Sequence, residues 1–100
     1  MNERLSSDAI AERLAALDHW TQSGDALQRT AGFASFVHAM AFVNRIATIA
    51  EEQQHHPDIL VRYDKVTLTL STHDAGGITE KDFALAAAID AVAEQMAPGA

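Results

Sequence analysis

The sequence predicts an α+β fold in which a four-stranded antiparallel sheet carries helices on one of its faces, in the order α-β-β-α-β-β-α. Two pairs of strand-like runs are each joined by a short turn signal, and three other stretches carry apolar residues at helical spacing. The 100 residues are enough for one compact domain and too few for two of ordinary size. We therefore expect a single domain over residues 1–100.

The first helix is expected in the segment SSDAIAERLAAL, where Ser6 or Ser7 can act as the N-cap. Its apolar residues recur at helical spacing, at Ile10, Leu14 and Leu17. The next segment, HWTQSGDALQRTAGF, has a turn signal at Ser23-Gly24-Asp25 between two short runs, which predicts the first hairpin. The two ends, MNERL and APGA, are expected to be ragged.

The longest helix is predicted from Ser35 to about Gln54. One apolar stripe contains Phe36, Met40, Val43, Ala47 and Ala50, with Phe42, Ile46 and Ile49 beside it. The opposite, solvent-facing side contains Ala41, Arg45, Thr48 and Glu52. Pro57 disfavours helical geometry at His56, so the helix should stop near the histidine pair at 55 and 56.

A second hairpin is predicted from the runs ILVRY and VTLTLST, joined by Asp64-Lys65. In the second run the apolar residues Val66, Leu68 and Leu70 alternate with Thr67, Thr69 and Ser71. After the turn HDAGG, Thr79 can cap a last helix, TEKDFALAAAIDAVAEQM. The apolar stripe of that helix contains Leu85, Ile89, Val92 and Met96.

Charge and composition argue against several classes of protein. The chain has 14 acidic and 7 basic residues, and its net charge of -7 opposes contact with phosphate backbones and anionic lipid, so we expect no direct nucleic-acid partner and no membrane partner. No run resembles a signal peptide or a membrane span, which favours a cytoplasmic location. Without cysteine, any chemistry must come from histidine, carboxylate or hydroxyl groups.

Three of the five histidines lie at the ends of predicted elements. His55 and His56 follow the long helix, and His73 shares the parity of the polar side of its strand, so it should stay reachable. Each also has a plain structural interpretation, because histidines at a helix C-terminus interact favourably with the helix dipole and lone loop histidines are usually surface residues. His19 and His38 have no such neighbours and are interpreted as structural or surface residues.

Asp82 is unusual because counting back three residues from Leu85 places this carboxylate on the buried stripe of the last helix. As the third helical residue after Thr79 it could complete a variant of the capping box, which is the favoured interpretation of Asp82 taken alone.

Together the three histidines and the nearby carboxylates allow two functional interpretations. They could bind zinc or iron, or they could transfer protons near neutral pH. Spacing alone does not separate these, although adjacent histidines on an irregular segment often diverge, which disfavours a shared metal.

The order of these residues resembles the signature of the pterin-4a-carbinolamine dehydratases. Glu51 is followed after three residues by HHP, after five more by Tyr63, after nine by His73 and after eight by Asp82. The segment KVTLTLSTHDAGGITEKDFALA is similar to the continuation of that family, and the similarity runs from about Gly24 to Ala93.

The resemblance implies that the chain dehydrates 4a-hydroxytetrahydropterin, the carbinolamine left by aromatic amino acid hydroxylases, to quinonoid dihydropterin without a metal or an organic cofactor. It implies that His55 and His73 transfer protons, and that His56 chiefly holds the substrate. Which of the two is acid and which is base stays open. Glu51, one helical turn before His55, has the spacing to orient an imidazole.

Three further residues complete the implied substrate-binding or orienting set. Asp82 would act from the N-terminus of the last helix, where the dipole stabilises a carboxylate. Pro57 makes the histidine segment rigid, and Lys81 stands where many members have arginine.

The resemblance also implies partners. Members of the family assemble as dimers and tetramers, so a homodimer or homotetramer is expected, together with a pterin substrate and a link to a hydroxylase pathway. Some members serve as dimerisation cofactors of a homeodomain transcription factor, and some relatives are assembly chaperones. A non-catalytic interaction module is therefore the alternative, and the complete histidine set favours the enzyme.

Overall fold

The structure of the chain, a computed structural model, describes residues 3–96. The elements are α1 (Ser7–Leu14), β1 (Thr21–Ser23), β2 (Ala26–Gly32), α2 (Phe36–Gln53), β3 (Asp58–Arg62), β4 (Lys65–Leu70), a short 3₁₀ helix (His73–Ala75) and α3 (Glu80–Gln95). The predicted α+β class and element order are confirmed. The predicted ragged ends, MNERL and APGA, include residues 1–2 and 97–100, which lie outside the described range.

The four strands form one antiparallel sheet in the order β1-β2-β4-β3. The predicted alternation in β4 is confirmed, because Val66, Leu68 and Leu70 are fully buried on the face that the helices cover. Each such side chain contributes roughly 1.5–3 kcal/mol of hydrophobic stabilisation. The other face is polar in its centre, where the hydroxyls of Thr30 and Thr67 lie 2.7 Å apart.

Both hairpins form, and one turn lies one residue earlier than predicted. The first turn contains Gly24 at φ 59°, as its sequence signal indicates. The second turn is at Tyr63-Asp64, since Lys65 already pairs with Arg62. Tyr63 takes a positive φ of 53°, as the two-residue hairpin turns require at their first central residue, where glycine, asparagine or aspartate is usual.

α2 buries a different stripe from the predicted one. Ala39, Phe42, Ile46 and Ala50 are buried, whereas Phe36 is 49% exposed and Ala47 is exposed, so the prediction was wrong for the last two. Apolar residues occupy more than one side of this helix, and periodicity alone did not decide which row faces the sheet. The solvent-facing side predicted for Ala41, Arg45, Thr48 and Glu52 is confirmed.

The other two helices begin where their caps indicate. The Ser6 side chain accepts a hydrogen bond from Ala9 N–H, and α1 ends at Leu14, three residues earlier than its apolar spacing predicts. Thr79 caps α3, and Leu85, Ile89 and Val92 of the predicted stripe are buried, with Met96 partly buried. No helix among residues 3–96 combines the length and the apolar character needed to cross a membrane.

Candidate active site

His55 is buried because of the way in which α2 ends. Gln54 adopts the left-handed conformation at φ 55°, the His55 N–H donates to the Ala50 carbonyl at 3.0 Å, and the Gln54 N–H donates to the Glu51 carbonyl at 3.3 Å. This is the Schellman arrangement, in which the second residue after the helix folds back over the last turn. The helix therefore stops beside the histidine pair, as Pro57 predicts, and leaves His55 only 9% exposed.

Asp82 is the fully buried partner of His55. Oδ1 lies 2.6 Å from His55 Nε2, and Oδ2 accepts from the Thr72 hydroxyl at 2.9 Å and from the Thr79 N–H at 2.9 Å. Because a carboxylate oxygen accepts, His55 Nε2 carries the hydrogen. The predicted capping box of α3 is also present, so one carboxylate both caps the helix and holds an imidazole.

Glu51 pairs with His56, not with His55. Its Oε2 lies 2.5 Å from His56 Nε2, and both side chains are exposed. The helical spacing of Glu51 to His55 does not produce a contact between them, because the left-handed turn at Gln54 ends the helix before residue 55. The adjacent histidines thus diverge, each toward its own carboxylate.

His73 lines the same small cleft as this pair. It begins the short 3₁₀ helix after β4, and its side chain is exposed, as its parity predicts. The cleft is open and has a volume of about 240 Å³. It is lined by Gln54, His55, His56, Ser71, Thr72, His73, Asp74 and Lys81. All three candidate histidines and Lys81 therefore meet at one site.

The structure leaves other candidates away from the cleft. Tyr63, which belongs to the sequence signature, is 72% exposed at the far end of β3 and lines a different cleft with Arg62 and Lys65. His19 and His38 are exposed, as expected, and His38 hydrogen-bonds to Ser35 at the start of α2. Pro57 is half-buried beside the histidine pair.

Thr72 is a site residue that the sequence interpretation did not single out. It is 8% exposed, and its hydroxyl contacts Asp82 and Thr79. A signal was present, because the alternation of Val66, Leu68 and Leu70 predicts that residue 72 faces the core, where a hydroxyl needs a partner.

The arrangement provides two separate imidazole–carboxylate pairs beside an exposed third imidazole. An imidazole whose one nitrogen is held by a carboxylate can exchange a proton with a substrate through the other. Within residues 3–96, no group of three or more histidine, cysteine or acidic side chains is arranged to hold a metal ion.

Sequence comparison gives a family match over nearly the whole chain. The family described as pterin 4 alpha carbinolamine dehydratase matches residues 3–92. A protein of Thermomicrobium roseum, provisionally named pterin-4-alpha-carbinolamine dehydratase, is 57% identical over 83% of this chain and 89% of its own length. A protein of Chloroflexus aurantiacus with the same provisional name is 54% identical over 89% of this chain and 96% of its own length.

Solved structures give the same fold with two different descriptions. A transcriptional coactivator/pterin dehydratase from Brucella melitensis superposes with a TM-score of 0.88 and 35% identity, over 91% of this chain and 99% of that one. A pterin dehydratase-like protein identified as a RuBisCO assembly factor in the alpha-carboxysome superposes with a TM-score of 0.61 and 29% identity, over 74% of this chain and 86% of that one.

Proposed function

The chain belongs to the pterin 4 alpha carbinolamine dehydratase family, and on that premise we propose that it dehydrates a 4a-hydroxytetrahydropterin to the quinonoid dihydropterin. In this reaction the bond from C4a to the hydroxyl oxygen breaks, a proton leaves N5, and a double bond forms between N5 and C4a. The hydroxyl departs as water once it has received a proton. The reaction therefore needs one proton acceptor and one proton donor, and the proposed site uses imidazoles for both, without a metal or an organic cofactor.

One observation carries the proposal: His55 is held by buried Asp82 on one side of a cleft to which His73 also belongs. We assign the two proton transfers to these histidines, each worth roughly 10²–10⁴-fold in rate. His56, oriented by Glu51, holds the substrate, Lys81 shapes the binding surface, and Pro57 makes the histidine segment rigid. Asp82 orients His55.

The proposal extends to assembly and location. A homodimer or homotetramer is supported by β3, which is an edge strand with Leu60 56% exposed, and by Val37, 75% exposed near the start of α2. The net charge of -7 opposes contact with nucleic acid and with anionic membranes. The proposed location is the cytoplasm, and the proposed substrate class links the enzyme to an aromatic amino acid hydroxylase pathway.

A second candidate is a non-catalytic interaction module, favoured by the likeness to a protein described as a RuBisCO assembly factor. A scaffold has no need of a buried imidazole–carboxylate pair beside an open cleft, and for that reason we place the enzyme first.

The test is steady-state dehydration of enzymatically generated carbinolamine by the wild-type protein and four alanine variants. His55→Ala and His73→Ala should each lower kcat by about 10²-fold or more, the scale of acid–base catalysis. His56→Ala should raise KM with little change in kcat, because removing an interaction that stabilises the ground and transition states equally leaves kcat unchanged. His38→Ala, outside the cleft, is the control and should change neither.

Circular dichroism is the check that each variant is folded. If folded His55→Ala and His73→Ala both keep a kcat close to that of the wild type, the catalytic assignment is wrong and the interaction module becomes the leading candidate.

A further inference from the structure

We propose that Thr72 is a positioning residue of this site, whose hydroxyl fixes the Asp82 carboxylate and through it the hydrogen-bonded state of His55. This inference rests on the proposed dehydratase function, which it deepens. Thr72 immediately precedes His73 and hydrogen-bonds to the carboxylate that holds His55. It thus links the two segments that bear the proposed proton-transfer residues.

The hydrogen bonds around Asp82 have a single possible direction. The Lys81 N–H donates to Thr79 Oγ1 at 3.2 Å, and Thr79 Oγ1 lies 2.8 Å from Thr72 Oγ1. The Thr72 hydrogen goes to Asp82 Oδ2, so the hydrogen between the two hydroxyls must come from Thr79. Every donor in this series therefore points toward one buried carboxylate, which leaves Oδ1 to accept from His55.

This polarity assigns the reactive nitrogen of His55. With the hydrogen on Nε2 directed at Asp82, only Nδ1 remains to exchange a proton with a substrate. Within residues 3–96, Arg29 Nε is the only buried side-chain nitrogen or oxygen without a hydrogen-bond partner. His55 is 9% exposed and lines the cleft, so the ring reaches the cleft while its Nε2 is held by Asp82.

Helix capping does not account for Thr72. The capping box of α3 consists of Thr79 and Asp82 and is complete without a third residue. The backbone of Thr72 closes the His73 loop, because its N–H donates to the Gly77 carbonyl at 2.9 Å and its carbonyl accepts from the Ala75 N–H at 3.1 Å. A valine could make these backbone bonds equally well. The hydroxyl is needed only for the buried hydrogen bonds to Asp82 and Thr79.

The test compares Thr72→Val, which removes the hydroxyl and keeps the shape, with Thr72→Ser, which keeps the hydroxyl. We expect Thr72→Val to lower kcat by about 10- to 100-fold with little change in KM, the range that follows if the loss of one hydrogen bond to a carboxylate is felt in the transition state. Thr72→Ser should restore kcat to within about threefold of the wild type. The matched control is Thr67→Val, which breaks the Thr30–Thr67 hydroxyl pair on the open face of the sheet and should leave kcat unchanged.

A second readout does not depend on activity. Nitrogen-15 NMR reports which ring nitrogen of a neutral histidine carries the hydrogen. In the wild type this should be Nε2 of His55, and in Thr72→Val a fraction of the protein should carry it on Nδ1 instead. A wild-type His55 in the Nδ1–H form would overturn the proposal whether or not the variant folds. So would a folded Thr72→Val with an unchanged kcat. If the wild type shows no dehydration at all, the proposed function fails, while the NMR measurement still decides the role of Thr72.

Discussion

Replacing Asp82 with asparagine is the sharpest test of the buried pair, because it changes the hydrogen-bonding character of a fully buried side chain while nearly preserving its volume. The Thr79 N–H, 2.9 Å from Oδ2, can only donate. The amide oxygen should therefore take the position of Oδ2, and the amide NH₂ should face His55. His55 Nε2 must then accept, which moves the ring hydrogen to Nδ1.

The expected loss in rate follows from that change of tautomer. In the serine protease triad, the same replacement at the orienting aspartate costs about 10⁴-fold in kcat, and one general acid or base is worth roughly 10²–10⁴-fold. We expect Asp82→Asn to lower kcat by at least about 10²-fold with a small change in KM. Three charge-assisted bonds become neutral ones, at about 1 kcal/mol each, so the free energy of unfolding should fall by about 3 kcal/mol. A domain with the usual stability of about 5–15 kcal/mol tolerates this loss.

The assay combines steady-state carbinolamine dehydration with urea unfolding. Asp90→Asn is the matched control, because Asp90 also lies on α3 and accepts hydrogen bonds from Trp20 Nε1 at 2.7 Å and from Arg29, away from the cleft. It should lower stability and leave kcat unchanged. The reasoning is refuted if Asp82→Asn is folded and its kcat is within about threefold of the wild type.

Three further predictions concern the metal, the assembly and the end of α2. Dialysis against a strong chelator should leave the dehydration rate unchanged, because in the proposed mechanism imidazoles supply both proton transfers; activity that is lost and then restored by zinc or iron would contradict this. Sedimentation at micromolar concentration should show a dimer or tetramer, because β3 has an unpaired edge; a monomer throughout the concentration range would refute it. Gln54→Gly should raise the free energy of unfolding by up to about 1 kcal/mol, since glycine adopts the left-handed conformation without a Cβ penalty; urea unfolding that shows a loss would contradict it.

The sequence predicted the order of the elements well because local signals fix them. The turn at Gly24, the alternation of Val66, Leu68 and Leu70 and the cap at Thr79 each depend on a few neighbouring residues, and all were confirmed. The buried row of α2 was predicted wrongly at Phe36 and Ala47, because that choice depends on which residues the sheet and α3 present to the helix.

The candidate site was predicted in part. Residue spacing brought the histidines and Asp82 to attention, and the structure gathers all three histidines at one cleft. The pairing of His55 with Asp82, 27 residues apart, is a long-range contact that no local spacing specifies. Glu51 was expected beside His55 and lies beside His56, because the left-handed turn at Gln54 ends the helix before residue 55. Thr72 was overlooked although its parity placed a hydroxyl among core residues.

Asp82 both caps α3 and holds His55. The proposed activity therefore depends on the completion of folding. His55 gains its carboxylate only after the first turn of α3 has formed and docked against the end of α2, which joins two segments far apart in the chain. A newly made or thermally frayed chain in which that turn is open has an imidazole with no fixed hydrogen, and the proposed mechanism then lacks one of its two oriented proton-transfer groups. Loss of that one helical turn should abolish the proposed dehydratase activity while the sheet remains folded. Activity should therefore be lost on heating at a lower temperature than global unfolding.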